Sequence, residues 1–194
     1  KYKNYWTISY VGGLSAERGL DTVIKALPFA RNNIPNLKLL VVGSQGKQSE
    51  EIYSWASRVS VDDIVDVVGW QPFSMVNSYV MASKICLVPH NEFEHTHTTV
   101  PHKLFQYMIC AKPVLVSSCR PLRRIVEDAQ SGVVFRANNA KDLADKLVYM
   151  YENPVALKEM GFNGKAAALD KYAWRNEAKK LVEFYAGLSK GSQE

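Results

Sequence analysis

Cysteine is scarce in this chain, and the three that occur, Cys86, Cys110 and Cys119, cannot pair completely and form no CxxC arrangement. Each lies in or beside an apolar run, so they read as small buried thiols of a reducing compartment and not as a disulfide framework. Long hydrophobic runs are lacking too: no segment approaches the roughly 18 uninterrupted apolar residues that span a bilayer. No charged-apolar-small leader opens the sequence, since "KYKNYWTISYVGG" is polar and then strand-like. There is no internal repeat and no low-complexity segment, and only "SKGSQE", residues 189–194, reads as a frayed tail. The phosphate-binding patterns G-x-G-x-x-G and G-x-x-x-x-G-K-[ST] are missing, so neither nucleotide motif is claimed. "GSQG" lacks the spacing of a G-x-S-x-G elbow, and no Ser-His-Asp set stands out.

What is present is an ordinary globular composition. At 47% apolar and 22% charged, 194 residues suffice for one domain with a sizeable core and are too few for two comfortable ones. A net charge of +5 favours anionic ligands or surfaces, with phosphate-bearing metabolites, nucleic acid and acidic lipid all open on that ground. "RPLRR" is the densest basic stretch, but a nucleic-acid face needs interleaved aromatics, and this stretch reads as the exposed start of a helix. The sequence opens without Met, almost directly on a strand, which predicts a piece of something larger, from which any targeting signal would be missing.

Strand and helix patterns alternate. "WTISYVGG", "LKLLVVGS", "IVDVVGW", "KICLVPH", "KPVLVSS" and "SGVVFRA" read as six strands, most of them followed by amphipathic stretches such as "RGLDTVIKALPFARNNI". Strands apolar on both faces, joined by crossover helices, predict a Rossmann-like, doubly wound parallel α/β sheet of about six strands with helices on both faces. The remainder from "AKDLADKLV" onward is expected to be helical, with breaks at Asn153-Pro154 and Gly161. In its last part Trp174, Ala178, Leu181, Val182 and Tyr185 recur at helical spacing and read as a docking stripe. Ligands of such a sheet bind beyond the carboxyl ends of the strands, where this sequence places its glycines.

Two stretches there carry chemistry. In "GGLSAERGLD" the pair Gly12 and Gly13 permits close backbone approach, and Arg18 precedes a helix start, where a cation opposes the dipole unless an anion answers it. The plain alternative is a tight turn with a surface arginine. In "HTHTTVPHKLFQYM" Thr98, Thr99 and Val100 lead into a helix beginning near Pro101, whose free N–H groups and Lys103 suit a phosphate or diphosphate. Leu104, Phe105 and Met108 form its buried stripe, and Gln106 falls off it. All four histidines lie between His90 and His102. His95 and His97 with Glu92 or Glu94 spell a possible metal site, a solvated loop, or the rim of a binding pocket.

Three stretches together resemble one family: "YVGGLSAERGLDTVIKAL", "VPHKLFQYMICAKPVLVS" and "YAWRNEAKKLVEFY" are similar to the C-terminal, donor-binding domain of group 1 (family 4) glycosyltransferases of the GT-B type. The resemblance covers essentially the whole chain in order. It implies a nucleotide-sugar-binding domain over residues 1–188, and a transferase whose N-terminal acceptor domain is absent from this chain. The implied partners are a nucleoside-diphosphate sugar, a glycan or lipid-linked acceptor in polysaccharide biosynthesis, and that N-terminal domain, with no nucleic acid. The implied setting is cytoplasmic, with contact to a membrane surface left open for the full-length protein. No cofactor and no divalent metal are implied, because helix ends and Arg18 can stabilise the departing diphosphate.

Residue by residue, the family's G-[RG]-x-x-x-x-[KR]-G element falls on Gly12, Gly13, Arg18 and Gly19. Gly13 stands where many relatives carry a second cation, so one charge contact is expected to be missing. The family's paired glutamates fall on Thr98 and Gln106. Gln106 can still accept from a ribose, while Thr98 cannot replace a carboxylate, which leaves Glu92 or Glu94 as substitutes from a longer loop. The catalytic expectation is thus Arg18 and Gln106. Donor contacts are expected from Gly12, Gly13, Val68, Gly69, Trp70, Thr98, Thr99, Val100 and Lys103, with the base near Val68, Gly69 and Trp70. Loss of the glutamates also admits a non-catalytic nucleotide-binding or scaffold module of the same fold, and the histidines a metal-dependent hydrolase.

Overall fold

A computed structural model describes residues 1–191. Six strands form one parallel sheet: β1 (Trp6–Val11), β2 (Leu37–Val42), β3 (Val65–Gly69), β4 (Ile85–Val88), β5 (Val114–Ser117) and β6 (Gly132–Phe135), in the order β3-β2-β1-β4-β5-β6. All of the predicted strands are present. Their side chains alternate between two covered faces, which is why the strands lack the polar-apolar alternation of a half-exposed sheet. Leu39 and Val41 enter one core, whereas Leu40 and Val42 enter another. The first core contains α1 (Leu20–Ala30), α2 (Lys47–Arg58) and α6 (Ala140–Glu152). The opposite face carries α3 (Phe73–Ala82), α4 (His102–Ile109) and α5 (Arg120–Ala129), with α7 (Pro154–Leu169) packed behind them. Each Leu or Ile fully buried in this way contributes roughly 1.5–3 kcal/mol.

The C-terminal helices correct two expectations. The break at Asn153-Pro154 is real, but α7 runs unbroken through Gly161. A Cβ at Gly161 would lie 2.3 Å from the carbonyl oxygen of Ala111, so this glycine lets α7 approach the end of α4. The second break falls instead just after Leu169, before α8 (Trp174–Gly191). Within α8, Trp174, Leu181, Val182 and Tyr185 of the expected stripe are all exposed. The expected tail is helical as far as Gly191, and its remainder, 192–194, lies outside the described residues. Among the described residues no helix is long and apolar enough to cross a membrane. Cys86 and Cys119 are buried and Cys110 partly so, all three free.

Candidate functional site

The strand order fixes where a ligand can enter. β1 and β4 are neighbours, but the chain leaves β1 towards β2 and leaves β4 towards β5, so the two connections part and open a crevice at the carboxyl ends. Glycines hold the adjoining edge: Gly12 N–H donates to Val42 O at 2.8 Å, and Gly43 N–H donates to Gly69 O at 2.7 Å.

From the β1 side, a 3₁₀ turn over Ala16–Arg18 ends on Gly19, whose φ is +66°. A Cβ there would lie 1.8 Å from Pro89 O, so only glycine lets this turn press on the chain leaving β4. Buried Asn91 locks the contact. Its N–H donates to Glu17 O (3.0 Å), its Nδ2 to Ala16 O (2.8 Å), and its Oδ1 accepts from Thr22 Oγ1 (3.3 Å). Arg18 is thereby brought against buried His90, with Nη1 3.2 Å from Nε2.

From the β4 side, α4 starts after Pro101, so the His102 and Lys103 N–H groups at its head have no intrahelical acceptor, while Leu104 N–H donates to Pro101 O at 3.1 Å. The helix is pinned to β1 by Tyr107, whose hydroxyl accepts from Val11 N–H at 3.0 Å. Lys103 then reaches back over the fully buried Tyr10, its Nζ 4.0 Å from the ring centroid. Tyr10 itself donates to Gly13 O at 2.7 Å, and burial pushes its phenol up to about 12. A Cβ at Gly12 would come within 2.6 Å of Lys103 Nζ, so the absence of a side chain there makes room for the ammonium.

No carboxylate lies within ion-pair distance of Arg18 or Lys103 among the described residues. Burial, reinforced by Arg18, brings the Lys103 ammonium down to about 7. Burial first, then Lys103 and Arg18, hold His90 down to about 4. Arg18 and Lys103 thus face one opening with no carboxylate within ion-pair distance of either.

That opening is a cleft of about 400 Å³ lined by Gly12, Gly13, Leu14, Ser15, Arg18, Pro101, His102 and Lys103. It therefore gathers Gly12, Gly13, Arg18 and Lys103 of the expected set. The charge contact expected to be missing at Gly13 has a counterpart in Lys103, delivered from α4. The other expected residues lie elsewhere. Thr98 and Thr99 donate their hydroxyls to His95 O at 3.0 and 2.9 Å, closing their own turn, and Val100 lines a separate apolar groove. Gln106 is half-buried in the body of α4, further along the helix than Lys103, and is not part of the cleft wall. Val68, Gly69 and Trp70 sit at the end of the edge strand β3, joined to the cleft only through the glycine edge, with Trp70 exposed. Glu92 and Glu94 are exposed and line neither the cleft nor the smaller cavity beside it. That cavity, about 180 Å³, is lined by Glu17, Arg18, His90, His95 and Thr96, so the nearby acid is Glu17.

The histidines are dispersed in role. His90 is buried on Arg18, His95 is exposed on the cavity rim, His97 Nδ1 accepts from Arg120 N–H at 3.4 Å, and His102 opens α4. The described residues contain no cluster of three or more His, Cys, Asp or Glu that could hold a metal ion. Sequence reasoning passed over Leu14, Ser15, Tyr10, His102 and the pairing of His90. The signal for His90 was available, because it follows a strand end directly, as Arg18 follows the glycines of β1.

A doubly wound parallel sheet with Arg18 and Lys103 at its strand reversal defines a Rossmann-like domain. The profile of the glycosyl transferases group 1 family matches residues 1–167, and the chain belongs to that family. It is 26% identical over 180 residues to an uncharacterized glycosyltransferase of Methanocaldococcus jannaschii, covering 93% of this chain and 48% of that protein. The fold is similar to that of sucrose-phosphate synthase from Thermosynechococcus elongatus, with a TM-score of 0.83, 22% identity, and coverage of 97% and 46% of the two chains. It is likewise similar to Anabaena HepE in complex with UDP, with a TM-score of 0.83, 16% identity, and coverage of 95% and 49%. The chain thus spans about half the length of the relatives it matches.

Proposed function

We propose that the chain is the nucleotide-sugar-binding half of a GT-B glycosyltransferase, holding the donor diphosphate in the cleft between Gly12-Gly13 and the start of α4. One observation carries this reading: Arg18 and Lys103 converge on that cleft, and no carboxylate lies within ion-pair distance of either. Membership of the family and likeness to a structure holding UDP support it. In a retaining transfer, charge accumulates on the departing diphosphate as the sugar carbon leaves it. Arg18, Lys103 and the N–H groups at the head of α4 are in place before that charge develops, which is how an electrostatic site lowers a barrier. No general acid is needed for a leaving group stabilised in this way. The glycan or lipid-linked acceptor belongs to the other half of the polypeptide, so these 194 residues alone bind donor without transferring it. A cytoplasmic setting, with the full-length protein at a membrane surface, fits such an acceptor.

A second reading is favoured by Thr98 and Gln106, which stand where the family carries glutamates and line no part of the cleft. On that reading the domain binds nucleotide without catalysing transfer. Thermal unfolding with UDP-, GDP-, ADP- and CDP-sugars tests the site both readings share, because a ligand specific to the folded form raises the melting temperature. At least one donor should do so in the unaltered chain and fail after Arg18→Ala. Stabilisation by none of them removes the donor site. Transfer assays on the full-length protein then separate enzyme from binding module.

A further inference from the structure

Arginine carries only hydrogen-bond donors, so the 3.2 Å contact between Arg18 Nη1 and His90 Nε2 requires a lone pair on that ring nitrogen. The imidazole is therefore neutral, with its proton on Nδ1. Yet Nδ1 is buried and has no hydrogen-bond partner among the described residues. An unpaired buried donor is destabilising, so packing alone would favour an apolar side chain here. The groups facing the ring explain its charge state. Arg18 and Glu17 come from the turn before Gly19, His95 from the 3₁₀ turn over His95–His97, and Lys103 from α4. Burial, with Arg18 and Lys103 nearby, disfavours a third positive charge.

We propose that His90 is a positioning residue for the donor site: its Nε2 lone pair holds the Arg18 guanidinium in register with the cleft, leaving the remaining N–H donors for the diphosphate. This rests on the donor-site reading and adds to it a residue that acts only through Arg18. A neutral acceptor suits the task better than a carboxylate would. A carboxylate would fix the same geometry but cancel the charge the ligand has to meet, whereas imidazole fixes the side chain and leaves its charge intact. Holding a long side chain in advance also removes part of the ordering cost from the binding step.

The test is calorimetric titration with inorganic pyrophosphate, together with ligand-free melting temperatures, on the unaltered chain, Arg18→Ala, His90→Leu, His90→Gln, His90→Asn and the Arg18→Ala/His90→Leu double variant. His90→Leu should weaken binding about five- to tenfold while leaving the melting temperature unchanged or higher. His90→Gln, which places an acceptor near the Nε2 position, should restore binding to within about twofold. His90→Asn is too short to reach Arg18 and should show the same loss as leucine, which keeps the test decisive should the leucine variant fail to fold. In the Arg18→Ala background, His90→Leu should have no further effect on affinity. Pyrophosphate binding by His90→Asn and His90→Leu equal to that of the unaltered chain overturns the proposal, as does an equal loss with and without Arg18. If the unaltered chain binds no pyrophosphate, the donor site itself is lost and the pair with it. If it binds and only Arg18→Ala weakens it, the site stands and the role of His90 does not.

Discussion

Two concavities meet at His102, and they are built on opposite principles. The cleft of about 400 Å³ is formed by strand ends, glycine turns and the head of one helix, and it concentrates charge. The groove of about 860 Å³ on the other side of His102 is formed by helix faces, with Val100, Phe105, Ile109, Ile125, Tyr172 and Trp174 in its walls. The groove is larger and more apolar, whereas Arg18 and Lys103 line the cleft. Backbone hydrogen bonds and obligatory glycines hold the cleft, so its charges keep fixed positions. The groove depends on side chains such as Trp174, 73% exposed, with nothing packed over them among the described residues. Volume and charge thus single out different concavities, and the donor site proposed above is the one where charge converges on fixed backbone.

The largest effect should come from attacking what fixes the cleft. Gly19→Ala drives a Cβ to within 1.8 Å of Pro89 O at a φ of +66°, and neither backbone can yield without separating Arg18 from His90. The expected cost is on the order of 4 kcal/mol, a fall in melting temperature of about 10 °C or failure to fold. Gly46→Ala is the control: φ is +55°, but no atom lies within 4 Å of the added Cβ. With ψ at −132° this residue lies outside the left-handed helical region, so the substitution should cost about 1–3 kcal/mol of backbone strain alone, less than at Gly19. Equal losses for the two would mean that the turn does not depend on its contact with β4.

Next in size is Arg18→Ala, which removes one of the two cations without altering the groove. A charge-assisted hydrogen bond contributes roughly 1.5–3 kcal/mol, so UDP or the preferred nucleoside diphosphate should bind at least tenfold more weakly by calorimetry. An unchanged dissociation constant takes Arg18 out of the site.

The same contrast shows what could be read from the sequence. The six strands and the sheet edge at which glycines and Arg18 gather were legible because they follow from local signals: apolar runs, closing glycines, and an arginine where a helix dipole disfavours it. Lys103 was legible as a charge at a helix head, but its approach over Tyr10 into the space left by Gly12 was not, because a tertiary gap has no sequence period. Gly161 was misread as a break, since a glycine needed for close helix packing looks locally like one that ends a helix. Thr98 and Thr99 were assigned to the ligand because they lead into the head of a helix at the ligand edge of the sheet. Here the 3₁₀ turn at His95 takes both of them instead. The groove walls come from three separated stretches, from Val100 to Lys180, and no single window of sequence contains them.

Lys103 predicts a pH effect confined to the cleft. Its ammonium is lowered to about 7 in the folded chain against an ordinary 10.5, so between those values the unfolded chain holds a proton that the folded chain has released. Stability without ligand should therefore rise with pH across that window, and Lys103→Met should remove the dependence. A bound diphosphate favours the charged form, so binding above about pH 7 should take up a proton, and affinity for UDP should fall by up to about tenfold per pH unit from 7 towards 9. Calorimetry in buffers of different ionisation enthalpy reads that uptake directly. Uptake that persists in Lys103→Met would assign the proton to another group.

The smallest effect is the one that keeps the two concavities distinct. Trp174→Ala strips the most exposed aromatic from the groove wall and touches no residue that lines only the cleft, so UDP affinity should change less than twofold and stability by no more than about 0.5 kcal/mol. His102 is the one side chain that belongs to both walls, and any coupling between them has to pass through it or through the start of α4. A loss of fivefold or more on Trp174→Ala, abolished in a His102→Ala background, would show that groove and cleft form one continuous site divided by an imidazole. The apolar walls would then belong to the ligand's path and not to a separate surface.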